Sequence, residues 1–184
     1  MQSSELTPQR YDVRLLQNVP LFRGLSDAER REIADRAHLV HFQPGEYVLR
    51  EGETRQRLWI ILAGQCEVLR HGAQPDQPPV LLAVLDPYDN FGEMSFFDRA
   101  AHAASIRAAT ALELLCLERE AFDALFNNGS QAACKLVQNV AATMARRLRH
   151  MDAWVTRLLR SETHAPRVKE WENFRQQLFQ GWKS

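Results

Sequence analysis

Phe91-Gly92-Glu93-Met94-Ser95-Phe96-Phe97-Asp98-Arg99-Ala100-Ala101-His102-Ala103-Ala104-Ser105-Ile106-Arg107-Ala108 is the stretch on which the reading of this chain turns. It ends in a strand, Ser105 to Ala109, where Ile106 and Arg107 alternate and so point to opposite faces of a sheet. On either side, from Leu39 to about Leu117, short β-rich runs are broken by turn residues, which predicts a small all-β sandwich or barrel. Tyr47-Val48-Leu49, Leu58 to Cys66, Val80 to Leu85 and Glu113 to Leu117 are the other expected strands. Gly45, Gly52, Gly64 and Gly72 fall at connections, where a tight turn can require a positive φ that other residues resist. His71 to Pro79 is polar and proline-rich, the composition of a surface hairpin loop.

Upstream, Ser26 is placed as the N-cap of a helix over Asp27 to His38, with Glu29 as its capping-box partner and Ile33, Ala34 and Ala37 on one face. Four motifs then stand in order: Leu16 to Ser26, with Leu21-Phe22 and Leu25-Ser26; Pro44-Gly45-Glu46-Tyr47-Val48-Leu49-Arg50-Glu51-Gly52-Glu53; Trp59-Ile60-Ile61-Leu62-Ala63-Gly64-Gln65-Cys66-Glu67-Val68; and the stretch quoted first. Together they resemble the cyclic nucleotide-binding domain of the catabolite activator protein superfamily, over residues from about 16 to 125. The resemblance implies a mainly β fold with flanking helices, a double-stranded β-helix or jelly roll, followed by a long dimerisation helix. The expected organisation is a β-roll with N-terminal helices over 12–130, the long helix over 131–160 and a short amphipathic helix over 161–184.

Residues 91–108 resemble the family's phosphate-binding cassette, which implies a ligand site at Phe91, Gly92, Glu93, Met94, Ser95, His102 and Ala103. Glu93 takes the position whose carboxylate accepts from the ribose 2′-hydroxyl, and Gly92 lets the backbone approach closely. Met94, Ser95 and Phe96 begin the short helix whose amides face the phosphate in the family. His102 stands where the family has its phosphate-binding arginine, and Ala101 replaces the proline before it. Arginine offers a permanently charged planar fork; histidine offers one donor to a given phosphate and is mostly neutral near pH 7. Weak or altered ligand affinity follows. Arg99, in the same loop, is a candidate for supplying the missing charge; its alternative is a solvated position. At the base end the resemblance brings in Met151 and Asp152 from the long helix. No cofactor is required, and cyclic AMP or cyclic GMP is the implied ligand.

From Gln131 to about Arg160 the apolar residues Val137, Ala141, Met144, Leu148, Met151, Val155 and Leu158 recur at alternating spacings of four and three, a heptad seam that predicts a homodimer. Docking of that helix on its own barrel is the other reading. Met144-Ala145-Arg146-Arg147-Leu148 also resembles the start of the dimer helix in the catabolite activator branch. That branch continues into a winged helix-turn-helix, for which the residues after Arg160 leave too little chain, so specific DNA binding is not expected of this sequence.

Composition narrows the rest. Lys plus Arg and Asp plus Glu are 23 each, so no overall positive field draws in nucleic acid or anionic lipid, and 45% hydrophobic residues in 184 support one good core. Cys66, Cys116 and Cys134 are too far apart for a zinc motif and read as free thiols of a reducing cytoplasm. No signal peptide or membrane span is read. His38 and His41 lack the spacing of a barrel metalloenzyme, and no nucleophile elbow or Walker loop occurs, so an enzyme is not expected. Two readings remain: a regulatory domain that passes ligand state to a downstream protein, or a domain of the same fold that serves as a dimerisation adaptor or senses another small molecule.

Overall fold

The computed structural model describes residues 12–71 and 77–160, the side chains of His150, Trp154, Val155, Arg157, Leu158, Leu159 and Arg160 excepted. Two 3-10 turns, Val13–Asn18 and Pro20–Phe22, lead into α1 (Asp27–Ala34). Eight strands follow: β1 (His38–Phe42), β2 (Tyr47–Leu49), β3 (Arg57–Ala63), β4 (Cys66–Arg70), β5 (Val80–Leu85), β6 (Asn90–Phe91), β7 (Ser105–Ala108) and β8 (Leu112–Glu118). A short helix α2 (Glu93–Asp98) separates β6 from β7, and α3 (Arg119–Asn127) and α4 (Gln131–Arg160) are the last of the described elements. The strands form two antiparallel four-stranded sheets, ordered β1-β8-β3-β6 and β2-β7-β4-β5. This is the jelly roll with flanking helices expected from the sequence.

The first sheet is covered on both faces, which explains the unbroken apolar run Leu58-Trp59-Ile60-Ile61-Leu62. Leu58, Ile60 and Leu62 of β3, with Leu115 and Leu117 of β8, face Leu16, Leu21, Phe22, Ile33 and the first turns of α4 at Ala132, Ala133 and Leu136. Trp59, Ile61, Leu114 and Cys116 turn the other way, into the barrel, against Leu49, Cys66 and Ile106 of the second sheet. On the outer face of that second sheet Arg107 sits opposite Glu67 and pairs with it at 2.7 Å, while Val84 of β5, paired with Glu67 on its other side, is 48% exposed.

Several expectations need correcting at their edges. The helix begun at Ser26 carries the full capping box but ends at Ala34, and His38 already belongs to β1, paired with Cys116. The run from Leu58 to Cys66 is two strands, because Gly64 turns the chain at φ 86° where a Cβ would lie 2.2 Å from the Ala111 carbonyl oxygen. Helix α3, with Phe122 and Leu125 buried, was not foreseen. Gly72 and the residues 161–184 lie outside the described residues.

The chain divides into two compact units at Val140/Ala141, inside α4. In the first, Val137 packs against the core between the sheet and the N-terminal turns. In the second, Met144, Leu148 and Met151 are 39%, 49% and 48% exposed, and Ala141 is exposed beside them. Val155 and Leu158 belong to the expected seam, but their side chains lie outside the described residues. Among the described residues no helix is long and apolar enough to cross a membrane.

Candidate ligand-binding site

The connection from β6 through α2 to β7 builds one wall of the site. Phe91 is buried and stacks on Trp59 with ring centroids 6.1 Å apart, which fixes where the chain leaves β6. Gly92 follows at φ 82°, and a Cβ there would lie 2.5 Å from the Arg57 carbonyl oxygen. The glycine is therefore required by its neighbour on β3 as well as by its own backbone. Gly92→Ala should destabilise the fold by about 1–3 kcal/mol, read as a lower denaturant midpoint; an unchanged midpoint would show that the turn can relax.

Glu93 opens α2 and is 4% exposed; its Oε2 accepts from Asn90 Nδ2 at 3.3 Å. A carboxylate at the first turn suits the positive end of the helix. Ser95, also buried, donates from Oγ to the Gly92 carbonyl at 3.2 Å and lies 2.7 Å from Nδ1 of His102. Met94 is half exposed and Ala103 is exposed. Arg99 caps α2 in a left-handed conformation, φ 61°, and its guanidinium lies 3.7 Å from Asp123 of α3. Met151 and Asp152 lie on the part of α4 that belongs to the second unit.

The second wall is the turn between β2 and β3. Gly52 N donates to the His102 carbonyl at 2.9 Å and His102 N to the Glu53 carbonyl at 2.8 Å, while Glu51 N donates to Ser105 Oγ at 2.9 Å. These bonds join residues about fifty positions apart. Between the walls is a cleft of about 230 Å³ lined by Tyr47, Arg50, Glu53, Arg55, Arg57, Trp59 and His102, among others. Glu93 does not line it. Of the cassette residues read from the sequence, only His102 lines this cleft, with Ser95 bonded behind it; Phe91, Gly92, Glu93, Met94, Arg99 and Ala103 do not line it. Arg50, Glu53 and Arg55 were missed; the only sign was a run of charged residues in a turn, Glu51 to Arg57.

His102 is 6% exposed, and burial pushes its pKa below the ordinary histidine value; the Glu53 charge and a bond to the Arg55 backbone oppose that shift. The ring is neutral at pH 7. A base whose pKa is depressed on folding takes up more protons when unfolded, so its contribution to stability is present above its unfolded pKa of about 6.5 and is lost as pH falls below it. The loss of melting temperature between pH 7.5 and 5.5 should accordingly be smaller in His102→Gln than in the unmodified protein. Equal losses would assign the acid sensitivity to other groups.

His38 Nε2 lies 3.9 Å from Glu118 Oε1, with Cys116 close to both. The trio has the makings of a metal site in donor type alone. Glu118 is already paired with Arg57 at 2.8 Å, and burial pushes the Cys116 thiol up to about 12, so a thiolate ligand is disfavoured. His41 faces Glu113 at 3.9 Å on the same strand pair.

The family profile for the cyclic nucleotide-binding domain matches residues 39–128, the whole of the barrel from β1 to the end of α3. Residues 39–128 belong to the cyclic nucleotide-binding domain family. The chain is 31% identical to the crystal structure of the catabolite activator protein of Thermus thermophilus, with a TM-score of 0.67, over 76% of this chain and 62% of that one. It is 29% identical over 114 residues to the cAMP-dependent protein kinase regulatory subunit of Schizosaccharomyces pombe, 62% of this chain but only 26% of the relative. A third likeness, at 27% identity and TM-score 0.60 over 71% of this chain and 45% of the other, is to the regulatory subunit of a cAMP-independent protein kinase A from Trypanosoma brucei, in a triple mutant bound to cAMP, one of whose changes introduces an arginine. The cyclic nucleotide-binding domain is thus shared with regulators, and this chain spans less than two thirds of the length of each.

Proposed function

We propose that this protein is a cyclic nucleotide-binding-type regulatory domain that acts as a homodimer in the cytoplasm and has weak or altered affinity for its ligand. The reading rests on His102, which the sequence resemblance sets at the position of the family's arginine and which is buried, neutral and tied to Ser95 at 2.7 Å. Glu93 supplies the buried carboxylate for a ribose hydroxyl, and Gly92 the turn before it. The Trypanosoma relative is described as cAMP-independent, and its cAMP-bound form carries an introduced arginine. In this reading the domain passes its ligand state to a downstream protein.

Loss of a buried charge partner costs about 2–5 kcal/mol, which is roughly thirty-fold to several thousand-fold in affinity. Calorimetric titration with cyclic AMP and cyclic GMP should therefore give dissociation constants weaker by at least that lower factor than a relative retaining the arginine. Tight binding of either would refute the weakened site. Absence of both would favour the second reading, an interaction adaptor, for which the exposed stripe Met144, Leu148 and Met151 is the supporting observation.

A further inference from the structure

Three guanidinium groups and one carboxylate share the cleft beside His102, and they are not equivalent. Arg57 is committed, since its Nε lies 2.8 Å from Glu118 Oε1 and 3.0 Å from Oε2. Arg50 is exposed to solvent and lies flat over Tyr47, 4.1 Å from the ring centroid, which holds the guanidinium in place without neutralising it. Arg55 is exposed, and among the described residues its guanidinium has no hydrogen-bond or ion-pair partner. Against these two unneutralised cations stands Glu53 alone. Trp59 and Tyr47 also line the cleft.

We infer that this cleft is an anion site in which Arg55, assisted by Arg50, binds a phosphate-class group from the β2–β3 side. Under the proposed function that group is the phosphodiester of the cyclic nucleotide, so the inference rests on that reading for the ligand's identity but not for its chemistry. A planar guanidinium matches two phosphate oxygens at once, which a neutral imidazole cannot do. The volume agrees: about 230 Å³ is below the roughly 300–1,000 Å³ of pockets that enclose a whole drug-sized ligand, so the cleft accommodates an anionic head and leaves the rest of the molecule outside. Arg50 also borders a neighbouring cleft of about 260 Å³, whereas Arg55 lines only the first. Arg55 should therefore have the larger effect.

The test is calorimetry on the full chain with two probes, cyclic AMP and inorganic pyrophosphate, against Arg55→Gln, Arg50→Gln and the equally exposed Arg36→Gln as a charge control. The expected result is at least a tenfold loss of affinity in Arg55→Gln, a smaller loss in Arg50→Gln, and less than a twofold change in Arg36→Gln. Arg55→Lys, which keeps the charge but not the fork, should fall between. Cyclic AMP binding that is unchanged in Arg55→Gln and Arg50→Gln overturns the inference and leaves the proposed function intact. Pyrophosphate binding that depends on Arg55, with no cyclic nucleotide binding at all, upholds the anion site and removes the proposed function. If neither probe binds at millimolar concentration, the inference is wrong.

Discussion

Leu148→Glu should turn the protein from dimer to monomer. Met144, Leu148 and Met151 follow one another on α4 at spacings of four and three, the arrangement that brings side chains onto one stripe, and all three are 39–49% exposed. Three large apolar side chains in line are surface that a two-fold partner would cover. Covering the exposed half of a leucine is worth about 0.7–1.5 kcal/mol, and the symmetry of a homodimer counts it twice. Replacing it with a carboxylate removes that gain and sets two negative charges at the centre of the interface. A weakening of dimerisation by at least about tenfold follows, from roughly 1.5 kcal/mol. Val137 takes no part in the expected loss, because it packs against the barrel's own core. Light scattering or sedimentation of both proteins reads the outcome directly. A monomeric unmodified protein at high micromolar concentration would sink the idea.

The sequence made the fold legible because each local signal agreed with the next. The capping box at Ser26 and Glu29, the positive-φ glycines at Gly45, Gly52 and Gly64, and the order of the motifs all reappear in the structure. The break inside Leu58 to Cys66 was blurred because a fully covered sheet erases the alternation that marks strand ends, leaving only Gly64 to show it. Helix α3 is nine residues long with two buried side chains, too little periodicity to stand out beside a strand that runs straight into it.

The site divides differently. The identity and position of His102 could be read from the cassette, but its state could not. Its neutrality depends on burial and its orientation on Ser95, seven residues earlier, and neither follows from the spacing. The β2–β3 turn was invisible as part of the site because the bonds that bring it there, Gly52 N to the His102 carbonyl and His102 N to the Glu53 carbonyl, are long-range backbone contacts with no side-chain signature. For the same reason Arg99 drew attention from its place in the loop, while the fold turns it toward Asp123.

His102→Arg should raise the affinity for cyclic nucleotide by at least about tenfold, or roughly 1.4 kcal/mol. The longer side chain has somewhere to go: the cleft of about 230 Å³ lies directly against residue 102. It also has something to balance it, because Glu53 faces the same position and offsets repulsion from Arg55 and Arg50. The cost is the bond between Ser95 Oγ and the imidazole Nδ1, worth about 0.5–1.5 kcal/mol. That loss falls on folding stability, whereas the gain appears only with the anion bound, so affinity and melting temperature should move in opposite directions. In the unmodified protein, affinity should stay flat from pH 8 to pH 7 and rise only below about 6.5, because burial holds His102 neutral above that range and only the protonated ring adds charge. In His102→Arg that rise should vanish, since a guanidinium stays protonated throughout. Calorimetry on both proteins at pH 7.5 and pH 5.5, under constant ionic strength, separates the possibilities. A tenfold gain with the pH dependence abolished supports the weakened-cassette account. Tight, pH-independent binding by the unmodified chain would mean that the arginines of the β2–β3 side suffice without residue 102.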